Sequence, residues 1–170
     1  MNKYNLVILL VIFICNFTIL NTYSDRISEY VKNEFKNSTP LKSHTPFSDL
    51  IEFLQLGTDN DGKANMGIAF RVIDSYKPIT GIVIVEKKGD EFVLLKADFP
   101  DIDKIKNGKN RRKVASILKP LKNISFNPQN GGRAVDIVSG ATRYGAESLN
   151  YFNYMARRVA LEIDKYNKNK

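Results

Sequence analysis

Seven residues of this chain carry a pattern with chemical meaning: Asp136-Ile137-Val138-Ser139-Gly140-Ala141-Thr142. Gly140 lets the backbone turn tightly without a Cβ penalty. Ser139 and Thr142 bring hydroxyls to the start of a long helical pattern, where the first N–H groups lack partners. The positive end of a helix favours an anion, and a phosphate is a common guest there. Arg143 adds a full positive charge beside it. An ordinary capped helix start would need the Ser or Thr, but neither the Gly-Ala pair nor the upstream Asp136.

Other reactive side chains are scarce. The single cysteine, Cys15, lies inside an apolar run, so neither a disulfide framework nor a cysteine zinc site is available. Ile14 before it is too bulky for the usual lipidation site. The single histidine, His44, sits between Pro40 and Pro46 and reads as a solvated loop residue. Asp59-Asn60-Asp61-Gly62 has the opening of a calcium loop, but Met66, Ile68 and Phe70 stand where oxygen ligands would follow. A plain turn is expected. No Gly-rich dinucleotide fingerprint supports a nicotinamide-dependent flavin reductase.

Asp136, Ser139, Gly140, Ala141 and Thr142 resemble the D-x-x-[S/T]-G-A-T motif of FMN-binding domains. Such domains occur in the periplasm-facing subunits of the Rnf complex and of the sodium-translocating NADH:quinone oxidoreductase. There a flavin transferase esterifies the FMN phosphate to the last threonine of the motif. The resemblance implies that Thr142 is the attachment residue, that Ser139, Gly140 and Ala141 shape the phosphate loop, and that Asp136 serves recognition by the transferase. It implies covalent FMN as cofactor, and membrane or extracytoplasmic electron-transfer proteins as partners. It is specific over about residues 135–149 and architectural over 66–126. Ile137 stands where the family usually has Gly or Ala, and Tyr144 where a second Thr or Ser usually follows. Those two residues keep open a second reading, a degenerate FMN-domain fold acting as a non-redox envelope binding or scaffold module.

The elements that would position this motif are readable from periodicity. The 170 residues amount to about one domain. With 43% apolar and 26% charged residues, disorder throughout is excluded. Tyr4–Leu20 is an uncharged, mostly apolar run, on the border between a signal segment and a spanning helix. Thr22 and Ser24 suit a cleavage site before Asp25, and Lys3 is the one charged side chain before the run. An N-terminal signal or anchor helix and an extracytoplasmic body are therefore expected. Residues 1–24 form that segment, 25–46 a helix and linker, and 47–170 the FMN-binding domain.

Within the body, Ile27, Tyr30, Val31 and Phe35 mark a short amphipathic helix, and 37–46 reads as a linker. Phe47, Leu50, Ile51 and Leu54 suggest a second helix over 47–56. Strands are expected over 66–73, 80–87 and 91–97, the last two joined by the three-residue loop Lys88-Gly89-Asp90. Phe92 and Leu94 should share a face. Residues 101–121 read as helical and basic, broken at Asn107-Gly108; Asn110-Arg111-Arg112-Lys113 reads as a solvated face, with no aromatic residues to make a nucleic-acid surface. A short strand over 124–126 and a long helix from about Arg143 to Lys165 complete the pattern. The helix has Leu149, Phe152, Met155, Ala156, Val159, Ala160 and Ile163 on one stripe and an Arg158–Glu162 pair on its outer face. The expected class is α+β, an antiparallel sheet packed by helices. The formal charge of +8 suits an anionic neighbourhood: a membrane surface, a nucleic acid or a phosphate-bearing ligand.

Overall fold

A computed structural model of the chain describes residues 30, 32–35, 39–40, 51–73, 78–119, 121–129 and 143–170, with side chains described from residue 148 in the last segment. Two units are distinguished, Met1–Lys36 and Asn37–Lys170. In the first, residues 30 and 32–34 are helical, within the helix expected there. The second holds a six-stranded antiparallel sheet whose strands neighbour one another in chain order: β1 (Thr39–Pro40), β2 (Phe53–Thr58), β3 (Ala64–Ile73), β4 (Ile79–Lys88), β5 (Glu91–Asp98) and β6 (Ile124–Phe126). A 3-10 turn (Ile102–Lys104) and helix α1 (Gly108–Ser116) lie between β5 and β6, and helix α2 (Arg143–Lys168) follows. The class is α+β, as the periodicity implies.

β4 is β-branched almost throughout, which suits a central strand buried on both faces. It pairs with β3 from Met66↔Glu86 to Ile73↔Ile79, and with β5 from Ile82↔Asp98 to Lys88↔Glu91, with an irregularity at Ile84/Val85. The β4–β5 connection is one residue tighter than expected. Lys88 pairs with Glu91, so only Gly89 and Asp90 form the loop, with Gly89 at φ +61°. A left-handed first residue is what a two-residue hairpin demands, and glycine supplies it. Phe92 and Leu94 lie opposite Lys87 and Val85 and are both buried in the core, on one face as expected.

α2 is the covering layer. Leu149, Phe152, Met155, Ala156, Val159, Ala160 and Ile163 are all buried against the sheet, each large one contributing about 1.5–3 kcal/mol. The helix lies on the sheet face of small side chains. A Cβ on Gly67 would collide with Val159 Cγ1, and one on Gly81 would stand 3.1 Å from Phe152 Cε1. Leu54, Leu56, Ala69, Ile73, Val83 and Val85 fill the space around these two approaches. Met66, Ile68, Phe70, Ile82 and Ile84 alternate with that set on β3 and β4 and are buried as well.

Four local expectations are corrected. The helical reading of 47–56 fails over Phe53–Leu56, which begins strand β2; residues 47–50 lie outside the described set. Leu54 and Leu56 fit a period of two, and Phe53 points the other way to stack on Phe70 at 5.0 Å. Within the expected linker, Thr39 and Pro40 pair with Thr58 and Gly57 as an edge strand, where a proline is tolerated. The break expected at Asn107-Gly108 stands, since the Asn107 side chain accepts from the N–H groups of Lys109 and Asn110 and starts α1 there, but the stretch before it holds only the 3-10 turn Ile102–Lys104 and α1 stops at Ser116 instead of running to 121. Glu162 does pair with Arg158, at 2.9 Å, but it is buried rather than outward, since it borders the stripe beside Val159 and Ile163.

The close approach at Gly67 yields a paired expectation. Gly67→Ala should destabilise the protein by about 1–3 kcal/mol, because the stiff Val159 side chain must move. Gly108→Ala, at an open helical position with nothing within 4 Å, should be neutral or slightly stabilising. Urea unfolding followed by circular dichroism measures both; equal effects at the two glycines would contradict the packing argument.

Candidate functional site

The motif residues Asp136, Ser139, Gly140, Ala141 and Thr142 lie outside the described residues, as do Ile137, His44, Cys15 and the run Tyr4–Leu20. What the structure does supply is the frame on either side of the motif. α2 begins at Arg143, the residue after Thr142 in the chain, and runs 26 residues. On the upstream side Pro128 is buried, and its carbonyl accepts a hydrogen bond from Arg157 Nε at 2.9 Å. Both ends of segment 130–142 are thus attached to the same helix. The attachment points are 14 residues apart in sequence, about 21 Å along the axis at 1.5 Å per residue. Sequence reasoning missed the Arg157 tie, because an arginine on a helix carries no local sign of which carbonyl it will reach.

The N-terminal half of α2 holds a further feature. Ser148 is fully buried and its Oγ has no hydrogen-bond partner. An unpaired buried hydroxyl costs about 1–3 kcal/mol, so its capacity is free for another group. Ser148 stands five residues after Arg143, the first residue of α2, about 7.5 Å along the helix axis. It also precedes Leu149 and Phe152 on the buried stripe, so the hydroxyl borders the core.

At the other end of α2 the polar groups are mutually satisfied. The Asn167 side chain copies a neighbouring strand: its Oδ1 accepts from Ala64 N–H and its Nδ2 donates to Ala64 O, both at 2.8 Å. Lys87 pairs with Asp164, and Lys170 Nζ donates to the Gly62 carbonyl at 2.6 Å. Gly62 closes the β2–β3 turn at φ +72°, while Asp59 Oδ1 accepts from the N–H groups of Asp61 and Lys63. This is the plain turn expected in place of a calcium loop. An open cleft of about 420 Å³ lies here, lined by residues that include Lys63, Lys87 and Asn167. Among the described residues no group of three or more His, Cys, Asp or Glu could hold a metal ion. Among them, too, no helix is long and apolar enough to cross a membrane.

A third polar cluster is internal. Asp101, buried, accepts from Thr80 N–H at 2.7 Å, from Thr80 Oγ1 at 3.1 Å and from Lys104 Nζ. It fastens the 3-10 turn to the start of β4. The carboxylate is fully engaged by fixed partners, so it acts as a structural clamp. Asp101→Ala, which removes the buried acceptor of Thr80 N–H and Oγ1, should cost about 1.5–3 kcal/mol. Asp101→Asn, which keeps a carbonyl oxygen for Thr80 N–H, should cost less. Thermal unfolding of the two variants checks the order.

No family model, no curated protein and no solved structure matches this chain, so its site is read from its own residues.

Proposed function

We propose that the chain is an electron-transfer flavoprotein, exported or membrane-anchored, that carries FMN covalently through its phosphate on Thr142. The observation that carries this reading is the sequence Asp136-x-x-Ser139-Gly140-Ala141-Thr142 running directly into a long buried-face helix that begins at Arg143. In the proposal the flavin, when bound, supplies the redox chemistry. The chain's residues attach, orient and shield it. The Thr142 hydroxyl would attack the FMN-side phosphorus of a flavin adenine dinucleotide held by the transferase; the pyrophosphate bond breaks, AMP leaves, the hydroxyl proton is lost, and the chain gains FMN less one water. Ser139, Gly140 and Ala141 shape the loop around the phosphate, and Asp136 serves recognition by a flavin transferase. Arg143 offsets the single negative charge of the phosphodiester. A buried hydroxyl without a partner, Ser148 Oγ, supports a group arriving at this end of α2. Donor and acceptor would be membrane or extracytoplasmic electron-transfer proteins, and the ester keeps the carrier from losing its cofactor across the membrane.

A second reading, a non-redox envelope binding or scaffold module on the same fold, rests on Ile137 and Tyr144, which depart from the pattern of the resembling family. One experiment separates the two. Protein made with a flavin transferase and magnesium should gain the mass of FMN less one water, and its band should fluoresce in a denaturing gel. Thr142→Ala should abolish that fluorescence with an unchanged circular dichroism spectrum. Asp136→Ala should reduce it. Wild-type protein that stays unlabelled, beside an FMN-domain control that is labelled, would overturn the carrier reading in favour of the module.

A further inference from the structure

We propose that helix α1 and its flanks form a docking face for an anionic phospholipid bilayer. The starting observation is the placement of charge. Residues 104–122 hold eight lysines and arginines and no aspartate or glutamate. Taking those eight from the 26 basic residues leaves eighteen, against eighteen acidic residues in the whole chain. The entire formal charge of +8 therefore belongs to one 19-residue segment, and the other 151 residues balance to zero. A chain that is basic for solubility alone would spread its charge.

The structure makes this segment a surface. Lys106, Lys109, Arg111, Arg112, Lys113, Lys119 and Lys122 are all exposed. None of the seven has a carboxylate partner among the described residues; Lys104, the eighth, pairs with the buried Asp101. In α1 the one buried residue is Val114. At 100° per residue, Lys109, Arg112 and Lys113 fall on the arc opposite Val114, pointing away from the core. The helix is held firmly: Ile105, Val114 and Leu121 are buried, and the Leu121 carbonyl accepts from Ala97 N–H at 3.2 Å. The cations thus stand on the exposed surface of an anchored element, and none of the seven meets a carboxylate among the described residues.

The chemistry of the face selects its partner. Segment 104–122 contains no aromatic residue, so the bases of a single strand have nothing to stack on. Besides its polar side chains α1 exposes only Ala115, so it lacks the aromatic anchors around which protein interfaces are built. A flat layer of anionic headgroups asks only for charge at short range, within a Debye length of about 8–10 Å. Such a patch is weak alone and becomes effective beside a second attachment. The uncharged run Tyr4–Leu20, read as a membrane segment, would be that attachment.

The test uses the full chain with Cys15→Ser and a donor fluorophore on Ser116→Cys, reconstituted into vesicles containing an acceptor-labelled lipid. Vesicles are phosphatidylcholine alone or with about one-third phosphatidylglycerol. Energy transfer should be higher in the anionic vesicles, and the difference should vanish at about 0.5 M salt. It should also vanish in the combined Lys109→Glu, Arg112→Glu, Lys113→Glu variant. The same three positions changed to Gln, with the wild-type circular dichroism spectrum, guard against a folding defect and should lose most of the difference. Equal transfer in both vesicles, or wild-type transfer in the Gln variant, would overturn the proposal. So would transfer unchanged by anionic lipid but altered by an added polyacidic peptide or DNA. Co-flotation with pure phosphatidylcholine reports separately on Tyr4–Leu20, so a failed anchor and a failed basic face give different results.

Discussion

The packing of the sheet depends on how closely α2 approaches it. Val159 and Phe152 reach the backbone of β3 and β4 because Gly67 and Gly81 present no side chain. A helix that sits this low brings a whole row of its residues into contact, so the burial of Leu149, Met155 and Ile163 follows from two absent Cβ atoms. Interiors packed to crystal-like density tolerate little slack, and a shift of this helix would be felt along its full length. The helix also fixes where its first residue, Arg143, must stand, and with it the point from which the preceding motif departs.

Apolar packing alone would let such a helix slide along its axis. Polar contacts prevent that at several depths. Asn167 is locked to Ala64 at the C-terminal end, Lys87 meets Asp164 one turn earlier, and the Arg71 guanidinium lies 3.9 Å from the Tyr151 ring centre near the other end. Arg157 reaches the Pro128 carbonyl between them. Each is modest by itself, but they act at different heights and so define a single register. The Asp101–Thr80 clamp does the same for the 3-10 turn that leads into α1.

Much of this architecture was legible in the sequence. The stripe Leu149–Ile163 is long and periodic, and the runs 80–87 and 91–97 are β-branched with a glycine turn between them; such patterns survive tertiary context. Phe53–Leu56 was not legible, because Leu50, Ile51 and Leu54 match a helical spacing while Leu54 and Leu56 match a strand, and only pairing with β3 decides. Glu162 misled because a carboxylate beside a stripe is normally outward, yet Arg158 lets it be covered. The candidate site was legible as a chemical pattern at Asp136–Thr142, and its frame was not. The ties that hold the frame, Arg157 to Pro128 and Asn167 to Ala64, join residues 29 and 103 positions apart, which no local pattern records.

The order of the elements has a consequence for how the protein comes into being. Six strands adjacent in space in the order in which they are made form a meander of short-range hairpins, which can pair as the chain emerges. The layer that covers their apolar face is the 26-residue helix α2, which follows all six strands in the chain. Until Lys168 has been synthesised, Leu54, Ala69, Val83 and Leu94 have no helix over them. Nascent chains of this protein therefore cannot complete their core until α2 has followed the sixth strand out. Until then they remain substrates for chaperones, and open to threading through a narrow pore.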